Sequence, residues 1–289
     1  MKLQHIAAAV ALVAAAGAAN ASIATGGNGS LVLIAYDRTG GTTTAGVFDL
    51  GLTLDDFVGA TGNGTALASG SLAANPNTSI VWDFSTNALT INGNQVSTYG
   101  TNDWTAAWNR LLANADASEL QFVVTAFDNV GVGANIRSLV TGVENPTANQ
   151  LNNNSTQAAA LNQISGGKSN DIFTPIANKG TIGSSANGAY TFTADDGATT
   201  LANGYVMAGE GFGNNWRNAN LLNGETLAGT AAALWLIDGT AKEVKTPGLV
   251  TLNVANGQLV YAPVPEPSTY ALLVSGLAVL GAIARRRRA

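Results

Sequence analysis

Turn signals recur along this chain at about ten-residue intervals, the spacing of strands in sandwiches and barrels. Asp37-Arg-Thr-Gly-Gly41, Asn92-Gly93, Asp195-Asp-Gly197 and Asn256-Gly257 supply the residues that tolerate tight-turn backbone conformations. The apolar runs between them are too short for ordinary helices, and the pattern predicts an all-β fold of β-sandwich or jelly-roll type. Composition narrows the alternatives. The 34 glycines have no three-residue period and prolines number only 7, which excludes collagen. Charged residues make up 11%, too few for a coiled coil. No internal repeat is present, which disfavours a solenoid or propeller.

The runs place the strands. Leu31–Tyr36 and Ala45–Leu54 form a hairpin across Asp37–Gly41. Ser79–Phe84, Ala88–Ile91 and Gln95–Tyr99 follow, the last two joined by Asn92-Gly93. Leu120–Phe127, Ala189–Ala194, Tyr205–Ala208, Leu234–Ile237, Leu249–Val254 and Gln258–Tyr261 complete the strands. Two stretches break the pattern. Trp104, Trp108, Leu111 and Leu112 stand at helical spacing and predict a helix over 104–114, with Asp103 or Thr101 as its cap. Thr147–Ile164 sets Leu151, Ala158, Leu161 and Ile164 on one side. The Asn-Asn-Asn-Ser-Thr156 run inside it has poor helix propensity and leaves helix and loop both open.

The two ends have a different character. Residues 1–21 carry Lys2, an apolar run from Ile6 to Ala19, and small residues at Ala19 and Ala21. This is the three-part form of a secretory signal peptide with Ala-Asn-Ala as its cleavage site, so the chain is expected to leave through the Sec translocon. At the other end, Ser268–Ala284 is uncharged over 17 residues. As a helix it would reach ~25 Å, at the short limit of a membrane span. Arg285, Arg286, Arg287 and Arg288 follow at once and should stay on the cytoplasmic side. A signal peptide, a β-rich extracytoplasmic body over 22–263 and a C-terminal segment over 264–289 containing a transmembrane helix are therefore expected.

Pro265-Glu266-Pro267, then an apolar helix, then an arginine cluster resembles the PEP-CTERM protein-sorting signal. The resemblance covers about the last 25 residues and names no activity for the body. It implies a Gram-negative bacterium that makes exopolysaccharide, with an exosortase in the inner membrane that recognises the tail. Cleavage near the motif and release to the cell surface or extracellular matrix are implied with it. By that analogy Pro265, Glu266 and Pro267 are the recognition triplet, and Arg285 to Arg288 the retention cluster. The two prolines hold this stretch extended, which suits a peptide entering a processing cleft.

The body's chemistry is bounded by what it lacks. His5 is the only histidine and there is no cysteine. His- and Cys-dependent catalysis, the usual zinc sites, haem on a proximal histidine and disulfides are thereby excluded from the mature chain. Removing Lys2, Glu266 and the four terminal arginines from 13 basic and 18 acidic residues leaves 8 and 17, a net charge of −9. No basic cluster remains to neutralise phosphates, so nucleic acid is not an expected partner.

No cofactor is expected either. Gly26–Leu33 approaches a calcium-binding nonapeptide, but Leu31 occupies the Asp position and no second copy exists. Gly209-Glu-Gly-Phe-Gly213 lacks the spacing of a dinucleotide loop. Asp55-Asp56 and Asp195-Asp196 offer oxygen ligands without a ligand ladder, and solvated turns are the plainer reading of both.

Glycan chemistry needs only two carboxylates. Glu119, Glu144, Glu210, Glu225 and Glu243 are the body's glutamates. Glu210 and Trp216 lie in the Gly-, Asn- and aromatic-rich stretch 209–218 and are the candidates for glycan contact. Trp82, Trp104, Trp108 and Trp235 read mostly as core. The expectation is thus a non-catalytic surface or matrix protein associated with exopolysaccharide or biofilm. A carbohydrate-binding module and a two-carboxylate glycan hydrolase are the alternatives.

Overall fold

The structure is a computed structural model and describes residues 28–37, 44–98, 104–128, 136–147, 189–192, 226–240 and 242–264. Within these, the strands are β1 (Ser30–Asp37), β2 (Thr44–Thr53), β3 (Ile80–Asp83), β4 (Ala88–Ile91), β5 (Asn94–Thr98), β6 (Gln121–Asp128), β7 (Arg137–Gly142), β8 (Ala189–Phe192), β9 (Thr226–Leu227), β10 (Ala231–Asp238), β11 (Glu243–Asn253) and β12 (Gln258–Pro263). Two helices accompany them, α1 (Leu54–Val58) and α2 (Trp104–Asn114).

All the described strands join one antiparallel sheet in the order β5-β4-β3-β12-β11-β10-β7-β6-β1-β2-β8, with β9 beside β6. The expected sandwich implied two separate sheets. Here one sheet curls until its distant parts face each other. Trp82 of β3 donates its indole N–H to the Leu50 carbonyl of β2 at 2.8 Å, and the rings of Phe48 and Phe84 lie 4.8 Å apart. Strand twist supplies the curvature. Irregular register between Ser30 and Val32, between Ala233 and Trp235, and between Leu89 and Thr90 adds local bends of the kind that bulges produce.

The hairpins follow their turn residues. Asn92 and Gly93 both have positive φ, 52° and 78°, the requirement of the two-residue turn whose twist matches that of its strands. Strand β4 coincides with the expected Ala88–Ile91, and β1 and β2 pair as the expected hairpin. Other features depart from expectation, β10 among them, which begins at Ala231 rather than Leu234. Leu54 starts α1 rather than ending β2, because Thr53 and Asp56 form a capping box. Strand β11 begins six residues before Leu249, at Glu243. Strands β7 and β9 were not expected.

Burial divides the sheet in two. In β3, β4, β11 and β12 buried and less buried residues alternate, so one face meets the core. In β1, β7, most of β2 and nearly all of β10, residues on both faces are buried. Leu31, Leu33, Phe48, Phe122, Leu139 and Leu234 face the central core. Val32, Ile34, Val47, Val123, Val140 and Ile237 lie on the opposite face and are 0 to 3% exposed.

Helix α2 lies where its periodicity places it, with Trp104, Trp108 and Leu111 buried in the central core and Leu112 partly buried against it. Phe84 joins their cluster, 5.4 Å from the Trp108 ring and 5.4 Å from the Trp104 ring. The expected caps Thr101 and Asp103, the 147–164 stretch beyond Thr147, and the Tyr205–Ala208 strand lie outside the described residues. So do the expected signal peptide over 1–21, with Ala19 and Ala21, and the tail from Pro265 onward.

Candidate functional site

The body meets its C-terminal tail at β12. This strand is hydrogen-bonded on both sides, to β11 from Gln258 through Pro263 and to β3 from Gln258 through Tyr261. Leu259 and Tyr261 point into the core at 0 and 1% exposure. The Tyr261 ring packs edge-on against Phe57 of α1 at 5.2 Å, and its hydroxyl accepts the Gly248 N–H at 3.0 Å. A Cβ at residue 248 would sit 2.4 Å from the Tyr261 ring, so glycine is what lets the ring close on this backbone. Burial raises the Tyr261 phenol above its ordinary pKa, and the bonds to Thr246 and Gly248 only partly offset this.

The ladder ends at Pro263, with one residue between it and Pro265-Glu266-Pro267. Pro263 stands opposite Gly248. Val264 is 42% exposed, and its N–H reaches the Pro247 carbonyl at 3.5 Å, the outer limit of a hydrogen bond. Pro247 is tolerated inside β11 because the β10–β11 register is irregular there, between the Ala233–Leu249 and Trp235–Lys245 pairs.

A second polar cluster ties α1 and its following loop to the sheet. Arg137 of β7 donates to Asp55 at 2.6 Å and to Asp128 at 2.7 Å. It also donates to the carbonyls of Gly59 and Gly62, each at 3.0 Å. Burial would lower its pKa, but the two carboxylates outweigh that and raise it. Asp238, opposite Arg137 in register, accepts the N–H groups of Gly64, Thr240 and Lys242 and the Thr240 hydroxyl. Asp55 and Asp56 are therefore engaged by the fold rather than held in a solvated turn. Asp55 pairs with Arg137, and Asp56 caps α1.

Burial shapes two further acids. Glu243 is raised by burial and by the neighbouring Asp238 charge. Asp49 lies on the second buried face of β2, where it accepts the Gly51 N–H at 2.8 Å and the Ser30 hydroxyl at 3.3 Å. Burial outweighs these bonds and raises its pKa to about 7.

Trp82, Trp104, Trp108 and Trp235 are all buried, as their core reading expects. Glu210 and Trp216 lie outside the described residues, as do Pro265, Glu266, Pro267 and Arg285 to Arg288. Arg137 escaped the sequence reading because Arg137-Ser-Leu-Val-Thr-Gly142 has only two large apolar residues. The one available signal was the rarity of basic residues in an acidic body.

A family model for the PEP-CTERM protein-sorting motif matches residues 263–288. The chain therefore carries this sorting motif, and the motif marks an exported protein that an exosortase-type enzyme processes at the membrane. No curated protein and no solved structure matches the chain. Among the described residues no helix is long and apolar enough to cross a membrane; the segment 268–284 lies beyond them.

Proposed function

We propose that this is a non-catalytic protein of the cell surface or extracellular matrix of a Gram-negative bacterium. It is held transiently in the inner membrane through residues 268–284, processed by an exosortase-type enzyme, and released to associate with exopolysaccharide in a biofilm. The observation that carries this reading is the match of the sorting motif to residues 263–288, starting on the last residue of a strand integral to the body. The scarcity of charge and the structural engagement of Asp55, Asp56, Asp128 and Asp238 support a body that does no acid–base chemistry.

The test is fractionation of host cells with and without the exosortase-type enzyme. In the complete host the protein is expected in the matrix fraction, bound to isolated exopolysaccharide. In the deficient host it is expected in the inner membrane with its arginines intact. The same distribution in both hosts would contradict the reading.

A further inference from the structure

We propose that the outer edge of β5 is a self-association surface, on which a second copy of this chain adds its own β5, antiparallel, to the sheet. The inference concerns the body alone and is independent of how the tail is sorted. β5 and β8 stand at the two ends of the strand order, and they differ in access. Ala189 and Thr191 of β8 are 5 and 1% exposed, and the Thr191 hydroxyl donates to the Ala107 carbonyl of α2 at 2.6 Å. Asn94 and Gln95 of β5 are exposed, and among the described residues this strand pairs only with β4. In an antiparallel ladder alternate residues turn their N–H and C=O groups away from the partner strand, so an accessible edge offers them to another chain.

The edge is held in place before any partner arrives. In the β4–β5 turn the Asn92 N–H donates to the Ser79 carbonyl and the Asn92 Oδ1 accepts the Ser79 N–H, both at 2.8 Å. Val96 falls between the Thr90–Gln95 and Leu89–Ser97 pairs as an extra residue, and it is partly buried against the core. This bulge draws the strand's one apolar residue inward and leaves a polar edge.

The chemistry of that edge selects its partner. Native edges are commonly guarded by lysine, other charges or proline, and residues 84–102 contain none of these. The body carries a net charge of −9, so copies repel one another, but nothing charged opposes contact along this strand. Asn, Gln, Ser and Thr side chains each both donate and accept hydrogen bonds. Asn94-Gln-Val-Ser-Thr98 is therefore complementary to itself when turned about a two-fold axis. A charged partner would find no counter-charge here. The strand is short and bulged, which confines pairing to a few residues and makes the dimer weak and concentration-dependent.

The experiment is sedimentation equilibrium of the protein purified from its own host, as wild type, as Gln95→Lys, as Gln95→Glu and as an equimolar mixture of the two variants. The wild type is expected to shift from monomer towards dimer as concentration rises. Each variant alone should lose the dimer, because like charges then meet across the two-fold axis, and the mixture should recover it. The chain has no cysteine, so Gln95→Cys gives a second reading. Mild oxidation should link it into a covalent dimer, whereas Ala255→Cys, exposed in the β11–β12 turn, should stay monomeric. A wild type that remains monomeric at every concentration would overturn the proposal. So would a dimer that persists in both charged variants, since its interface must then lie elsewhere. A monomeric wild type that binds isolated exopolysaccharide, and loses that binding in the Gln95 variants, would assign the edge to a glycan instead.

Discussion

The two halves of this sheet solve the same packing problem differently. On the β3, β4, β11 and β12 side, each strand buries one face, and residues such as Thr90 and Thr251 on the other are only partly buried. On the β1, β2, β6, β7 and β10 side, both faces are buried, and the division falls between Trp235 and its exposed partner Lys245. The half that alternates also carries the exit to the sorting tail. Doubly buried strands read as continuous apolar runs and singly buried ones as alternations. Leu31-Val-Leu-Ile-Ala-Tyr36 and Ala88-Leu-Thr-Ile91 are the two kinds side by side.

That contrast can be broken by mutation. Ile34→Asp places a charge on the second buried face of β1, where it has no designed partner, and should leave no cooperatively folded protein at 25 °C. Thr90→Asp, on the outer face of β4, should change stability by no more than ~0.5 kcal/mol. Denaturant unfolding of the two variants checks the comparison, and equal effects would erase it.

Arg137→Ala comes next. It leaves Asp55 and Asp128 facing each other without their cation and the carbonyls of the 59–62 loop without their donor. A loss of ~3–5 kcal/mol is expected from breaking a buried pair on one side.

The third test uses pH. The Asp49 carboxyl has a pKa of about 7 in the folded protein, against 3.8 for an ordinary aspartate. Folding therefore favours its protonated form. The associated stability is fully present below pH 3.8, falls as pH rises, and is gone above about 7. Asp49→Asn should flatten this fall, so that the variant gains relative to the wild type at pH 8 by a few kcal/mol at most. Parallel pH-dependence curves for the two proteins would show that Asp49 is not the group responsible.

The sequence made much of the frame legible and left its polar joints hidden. Hairpin β1–β2, strand β4 and helix α2 were readable because turn residues, alternation and the Trp104–Trp108 spacing each act locally. Helix α1 had its own local signal in Thr53-Leu-Asp-Asp56, but the alternation of the preceding strand ran on through Leu54 and masked it. The early part of β11 was hidden by its charges and by Pro247-Gly248, which a strand accommodates only where its register is irregular. Asp49 was invisible for a different reason. A polar residue between Phe48 and Leu50 fits a strand with one wet face, and only tertiary packing makes that face dry. At the tail, the motif could be read from residues alone, whereas its abutment on a fully paired strand required the sheet order.

In this molecule the sorting signal begins where a fully integrated strand ends. Native-state hydrogen exchange on the processed protein tests it most directly. Amides of Leu259, Val260 and Tyr261 should be protected as strongly as those of Val123 and Val124 in β6, opening only with global unfolding. Exchange of the β12 amides at the rate of a frayed terminus, with β6 still protected, would contradict it.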